Sequence, residues 1–295
     1  MGHSQTDAEI PRSCASWPVT GPGYLHKSCL AHPRNTRCGR GTDSMRFRLR
    51  HFLATLALFT GMMAHHPASA QIELGQTGLT LTLTPTASTD YTFRGVSQTR
   101  NRPAIQGLID IQHTSGFYVG AFASNVSFKG LDARQEVDML GGYRFTSGGL
   151  ALDGGFVWYN YPGYSSRTGG GLDMSFFEFA AKASYEIAPV KVLGSFYYSP
   201  DFQLDAHNAY YVEGGVELKM PLDVTLAGRY GYQWIDRNVN YGLPDFGNWS
   251  VALSRSFYGA LVTVGYYDTD VKKRECGGGQ KICDARAMVS LSYTF

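Results

Sequence analysis

Alternation of apolar and polar residues, renewed along most of the chain, constrains this sequence more than any other feature. Leu79, Leu81 and Leu83 are interleaved with Thr80, Thr82 and Thr84, and the same parity sets Tyr91 and Phe93 against Ser88, Asp90, Thr92 and Arg94. A period of two gives a strand one apolar and one polar face, so this stretch reads as one long strand reaching Arg94. Eleven further segments follow, near 103–113, 116–127, 135–145, 150–161, 174–186, 190–199, 209–220, 224–234, 247–257, 260–268 and 285–295. Val137, Met139, Tyr143 and Phe145 oppose Glu136, Asp138 and Arg144, and Phe177, Phe179, Ala181 and Ala183 oppose Glu178, Lys182 and Ser184. Segments 116–127 and 260–268 fit either facing.

The connections between segments alternate in length. Short turns at 113–116, 146–149, 187–189, 221–223 and around Tyr258 alternate with longer loops near 95–102, 128–134, 162–173, 200–208, 235–246 and 269–284. Strict short–long alternation is the pattern of an up-and-down barrel inserted into a membrane from one side. Greek-key crossovers, which a soluble sandwich would use, are not indicated. Aromatic residues gather at both ends of the segments. Phe93, Trp158, Tyr161, Tyr198, Tyr210, Trp234, Trp249 and Tyr266 lie near the long loops, and Phe117, Tyr143, Phe145, Tyr185, Phe257 and Tyr293 near the short turns. Two such belts match two water–lipid interfaces.

The chain closes on Val289-Ser290-Leu291-Ser292-Tyr293-Thr294-Phe295, apolar at every second position. Outer-membrane barrels typically end this way, and the barrel-assembly machinery reads that final strand, so Phe295 is its expected contact. In lipid every backbone N–H and C=O needs an internal partner, so a β chain must close into a barrel. The expected fold is therefore all-β, a 12-stranded antiparallel up-and-down transmembrane β-barrel.

Composition agrees. Hydrophobic residues make up 43% and charged residues 17%, which fits neither a disordered chain nor a charge-rich cytosolic protein. Residues 1–70 hold 8 Lys/Arg against 3 Asp/Glu, and residues 71–295 hold 18 against 21. The excess of positive charge is confined to the first quarter, so the remainder gives no footing to a nucleic-acid partner.

Met45 opens a stretch with the organisation of a secretory signal peptide. Arg46, Arg48 and Arg50 form a positive region, Phe52 to Ala64 an apolar one, and Ala68-Ser69-Ala70 a small-residue cleavage frame before Gln71. Residues 45–70 are thus expected to direct export to the bacterial outer membrane across the inner one. Residues 1–44 show no strand or helix period and read as an unstructured upstream extension preceding the true initiator. After the leader no apolar run reaches 18 residues, so no transmembrane helix is expected.

The segment Ser88-Thr89-Asp90-Tyr91-Thr92-Phe93-Arg94-Gly95-Val96-Ser97-Gln98-Thr99 resembles the opening of the TorF-type porins. Pro103 to Gly107, Ser115 to Gly120, Ala123 to Val126 and the ending from Cys283 to Arg286 are similar as well. The resemblance covers nearly all of 79–295 and implies an outer-membrane barrel and a passive channel. Loops 162–173 and 235–246 depart from the family's pattern.

By strand parity the inward, pore-lining set includes Asp90, Glu136, Asp138, Asp153, Glu178, Glu213 and Glu217, facing Arg94, Arg144, Lys182, Arg229 and Arg286. Asp110, Glu186, Lys191 and Lys219 share that parity. Such a lining either sets the ion preference of a channel for small solutes or ions, or fills the lumen as a salt-bridged plug. Asp90 and Arg94, on one face near the outer end of the first strand, are the first candidates for a constriction. Cys276 and Cys283 bracket a short loop and are expected to form a disulfide in an oxidising compartment. No cofactor or metal site is indicated. The basic run Lys272-Lys273-Arg274 reads as a solvated face, with lipopolysaccharide and membrane lipid as the partners within reach.

Two other classes stand beside the channel. An outer-membrane lipid hydrolase needs a His held beside a Ser. The exported chain offers only His113 and His207, neither in a Gly-x-Ser-x-Gly context nor with a Ser expected beside it. A plugged barrel acting as a receptor or adhesin through its long loops is the third class.

Overall fold

The computed structural model describes residues 71–295. The expected upstream extension and leader, residues 1–44 and 45–70, lie outside the described residues.

Twelve strands form the wall. They are β1 (Leu79–Ser88), β2 (Ala104–His113), β3 (Phe117–Asn125), β4 (Gln135–Ser147), β5 (Leu150–Asn160) and β6 (Phe176–Ile187), then β7 (Val190–Ser199), β8 (Ala209–Met220), β9 (Val224–Ile235), β10 (Phe246–Phe257), β11 (Ala260–Thr269) and β12 (Arg286–Tyr293). Each pairs antiparallel with its sequence neighbours, and β12 returns to pair with β1, so the sheet closes with no free edge. Closure satisfies every ladder in lipid.

The outer face is apolar. Ile105, Phe117, Val119, Phe179 and Leu291 are each between 50% and 69% exposed on it. So much exposed aliphatic and aromatic surface suits hydrocarbon, not water. The two segments of unsettled parity now have a facing. Tyr118, Phe122 and Ser124 of β3 point inward, opposite Asp138 and Glu136 of β4. On β11, Thr263 and Gly265 point inward beside Ser290 and Met288, and Val264 and Tyr266 point out.

The closing seam has its own geometry. The β1–β12 ladder runs through Ser88–Ser290, Ala87–Leu291 and Thr86–Ser292. It is extended at the chain end, where Leu83 and Phe295 exchange both backbone hydrogen bonds, at 3.2 and 2.9 Å. Pro85 lies between these two parts and has no N–H to donate.

One expectation is overturned here. The first strand does not run to Arg94. Its ladder ends at Ser88, and residues 90–99 turn into the lumen, where Thr92–Phe93 pairs with Val96–Ser97 in a small separate hairpin. Its two-residue turn, Arg94-Gly95, has φ of 50° and 80°, positive at both central positions. That is the type I′ arrangement that suits a tight hairpin. A Cβ on Gly95 would also lie 2.7 Å from Thr269 Cγ2 and 3.0 Å from Asn248 Cβ, so the turn requires glycine for space as well as for φ.

The excursion also corrects the upper aromatic belt. Phe93 is inside the barrel against Tyr159 and Phe176, at centroid distances of 5.7 and 6.3 Å. Tyr161 is buried in a loop core with Val126, Met174 and Phe202. Phe93 and Tyr161 carry the alternation of a lipid-facing girdle, but side chains from the long loops form an apolar interior of their own above the wall.

Candidate functional site

The lumen divides into two parts. In the upper part, towards the long loops, the inner hairpin crosses from β1 to the opposite wall. Arg94 at its tip is 6% exposed and ion-paired to Glu178 of β6, its Nη2 donating to both carboxylate oxygens at 2.8 and 2.7 Å. Its other terminal nitrogen donates to Gln233 Oε1 of β9. The guanidinium also lies over the rings of Tyr211 and Phe93, at 4.2 and 4.5 Å. A buried charge needs a counter-charge and hydrogen bonds, and this socket supplies the Glu178 carboxylate and the Gln233 amide oxygen.

At the base of the hairpin, Asp90 accepts from the hydroxyls of Ser97 and Thr99, both at 2.6 Å, and pairs with Arg286 of β12 at 3.0 Å. Asp90 and Arg94 therefore do not form a pair with each other, as one face of a strand would suggest. The type I′ turn points them to different walls, each to its own partner.

The long loops pack onto this hairpin. Ser97 N donates to Ile282 O at 2.8 Å, which ties it to the loop stapled by the Cys276–Cys283 disulfide. Val96, Leu243 and Phe246 form one buried cluster with those cysteines. The hydroxyl of Tyr241, in the one-turn helix α1 (Asn238–Tyr241), is pushed up to about 12 by burial beneath these loops. Further out, Asp132 accepts from Ser165 N at 3.0 Å and Thr168 Oγ1 at 2.8 Å. Those bonds hold its carboxyl below the ordinary range.

In the lower part, towards the short turns, charges of alternating sign run around half the wall. Arg144 donates twice to Asp110, both at 2.9 Å, and reaches Asp153 at 3.5 Å; Lys182 stands 3.8 Å from Asp153. Lys191 faces Glu217 at 3.7 Å, and Arg229 joins Glu217 at 2.6 Å and Glu213 at 3.6 Å. Lys219 and Glu186 pair at 2.6 Å close to the rim. Arg144, Asp153, Lys182, Lys191, Glu213, Glu217 and Arg229 are partly exposed and line a chamber of about 450 Å³. The other half of the wall, β10 to β12 and β1, presents Ser250, Ala252, Ser254, Thr263, Gly265, Ser290 and Ser292, with Thr82, Thr84 and Thr86. The lumen thus has one charged side and one side of small hydroxyl and hydrogen side chains.

Glu136 and Asp138 face the interior from the upper part of β4, where Glu136 accepts from the Tyr91 hydroxyl at 2.5 Å. The side chains that parity alone did not single out are the aromatic ones, Tyr91, Phe93, Tyr118, Tyr159 and Tyr211. Their signal in the sequence was ambiguous, because a ring reads as a lipid-facing residue until the facing of its strand is known.

The histidine reading needs one correction. Ser115 does lie beside His113, with Oγ 2.7 Å from Nδ1, and Ser115 N also donates to that nitrogen at 3.1 Å. The tight turn folds residue 115 back onto residue 113, which strand register could not reveal. Among the described residues no carboxylate holds the other ring nitrogen, and the pair sits exposed on a short turn. His207 lies in the loop between β7 and β8, where its backbone N donates to Asp201.

A closed antiparallel barrel with an apolar outside and a charged inside defines a transmembrane β-barrel of the outer-membrane class. Within that class the chain belongs to the Gcw_chp family, a bacterial protein family of unknown function, whose model matches residues 73–295. No curated protein matches it in sequence. Among solved structures the chain is similar to the KdgM porin in complex with disordered oligogalacturonate, with TM-score 0.48 and 11% identity over 72% of this chain and 99% of that one. It is similar to the NanC porin, with TM-score 0.48 and 9% identity over 72% and 98%. The outer membrane protein OprD from Pseudomonas aeruginosa gives TM-score 0.38 and 12% identity over 76% and 67%. These likenesses concern the fold.

Proposed function

We propose that the protein is a porin-like channel of the bacterial outer membrane, of the kind the TorF-type resemblance implies, through which small solutes or ions diffuse passively. The observation that carries this reading is the lower chamber, whose fixed charges stand on one wall opposite a wall of hydroxyls. A fixed field across a wetted path is how a charged lining sorts ions. Twelve strands enclose a narrow lumen, so the cargo is small. Asp110, Arg144, Asp153, Lys182, Lys191, Glu213, Glu217 and Arg229 are its pore-lining residues, and the inner hairpin with Asp90, Arg94, Glu178 and Arg286 is its constriction. Residues 45–70 direct export, and Phe295 presents the last strand to the assembly machinery.

The burial of the Arg94–Glu178 pair favours a second reading, a barrel sealed by its hairpin that acts through its loops as a receptor. Planar-bilayer conductance of residues 71–295 refolded in detergent separates the two. Discrete steps with a defined reversal potential are expected of the channel, and silence from folded protein overturns it in favour of the sealed barrel. Neither reading uses the exposed His113–Ser115 pair. Lipid hydrolysis that disappears on His113→Ala or His207→Ala would replace both with an enzyme.

A further inference from the structure

We propose that the upper lumen contains a subsite for an organic ammonium group, formed by Asp138 within a box of aromatic rings, with Glu136 behind it. The proposal rests on the channel reading and names the class of solute that its lumen recognises.

The interior acids outnumber the interior bases. Among the described residues all seven inward-facing cations are ion-paired: Arg94 with Glu178, Arg286 with Asp90, and the other five along the lower wall and rim. The inward-facing carboxylates are nine. The two without a cation, Glu136 and Asp138, are two residues apart on one face of β4 and are 2% and 4% exposed. The interior therefore holds two carboxyl groups in excess of its cations, both at one place. Glu136 accepts from the Tyr91 hydroxyl, whereas Asp138 Oδ1 is buried with no hydrogen-bond partner. A carboxylate so placed is costly unless it takes up a proton or something of opposite charge reaches it.

Space for that group is present. Asp138 lines a cavity of about 470 Å³ on the β1–β5 side of the inner hairpin. Phe122 and Tyr159 are its direct cross-strand neighbours on either side. Tyr91 and Phe93 of the hairpin complete the box, Tyr91 lying 5.8 Å from Phe122 and Phe93 lying 5.7 Å from Tyr159 between centroids. Ser88 Oγ, also on this cavity, is a second polar atom without a partner.

The chemistry of the walls selects the cation. A hard metal ion requires six or more oxygen ligands, and among the described residues no cluster of three metal-ligating side chains exists. Faces of Phe and Tyr around a carboxylate instead suit an alkyl- or arylammonium, whose charge is attracted to both carboxylate and ring quadrupole. The apolar body of such a solute would lie against Leu108, Leu140 and Val157, which line the same cavity.

The test is calorimetric titration of the refolded, detergent-solubilised barrel with three probes of one shape, namely benzylammonium, benzyl alcohol and benzoate. Benzylammonium is expected to bind at least tenfold more tightly than the alcohol, with no binding of benzoate. Asp138→Asn should weaken it tenfold or more, and Phe122→Leu severalfold. If Asp138→Asn does not fold, Phe122→Leu carries the test alone. Equal binding of the alcohol, or of sodium in competition, would overturn the proposal, as would a folded Asp138→Asn barrel with undiminished affinity. Binding does not require conduction. Absent binding with intact single-channel steps would remove the subsite and leave the channel, and binding without steps would do the reverse.

Discussion

The upper and lower halves of this lumen are built from the same charged residue types and differ in how water reaches them. In the upper half Arg94 and Glu178 are almost wholly enclosed, stacked with rings and held by a hairpin turn that accepts only glycine at its second position. In the lower half Arg229, Glu213 and Glu217 retain between 23% and 34% exposure and exchange partners along a ladder. Enclosure makes the first set cooperative, because losing one partner strands the other in a dry socket. Solvation makes the second set tunable, because water compensates whatever is removed.

The largest effect should follow from breaking the upper half. Arg94→Ala leaves Glu178 buried without a cation, a loss of about 3–5 kcal/mol in hairpin docking. Single-channel conductance is expected to rise severalfold as the hairpin leaves its socket. An unchanged conductance would mean that the two halves do not differ as described. Next comes the disulfide loop that backs the hairpin. Closing a loop of eight residues is worth about 2–3 kcal/mol on the chain-entropy model, so Cys276→Ser should lower the thermal midpoint of loop unfolding. Reductant should reproduce that fall in the unmutated protein.

In the lower half the balance between stability and selectivity should invert. Arg229→Ala should cost about 1 kcal/mol or less, yet move the reversal potential in a salt gradient towards cations, because Glu213 and Glu217 are left in excess. A large loss of stability with constant selectivity would show that the lower ladder is structural. The smallest effect belongs to Asp132, whose carboxyl is held down by hydrogen bonds from Ser165 N and Thr168. A depressed carboxyl contributes stability in full above its unfolded value, about pH 4, and loses it as pH falls through the lower folded value. Asp132→Asn should therefore lower loop protection at neutral pH, read by hydrogen exchange at Ser165, and leave little of the further fall towards acid.

Much of the wall could be read from the chain because its period is two and its surroundings are lipid. Clean segments such as Val137 to Phe145 have no freedom to face otherwise. The inner hairpin was not legible, for a physical reason. Tyr91 and Phe93 continue the alternation of Leu79 to Leu83, and a two-residue turn built on Arg-Gly is a far weaker signal than Asn-Gly or Asp-Gly. Pairing likewise escaped a reading by parity, which supplies the side of the wall but not the partner. It gave Asp90 and Arg94 one face, whereas Asp90 at the base of the hairpin and Arg94 in its turn reach different strands. The surplus at Glu136 and Asp138 emerged only after every cation had been assigned.

The departure of β1 from the wall has a consequence for assembly. The strand that carries the hairpin inward at Ser88 is also the strand against which Phe295 closes the ring. Leu83 and Phe295 exchange their backbone hydrogen bonds on the same strand that turns inward, so the seam of the ring and the filling of its lumen hang on one stretch of chain. The chain resembles a vessel whose stopper is joined to its first stave.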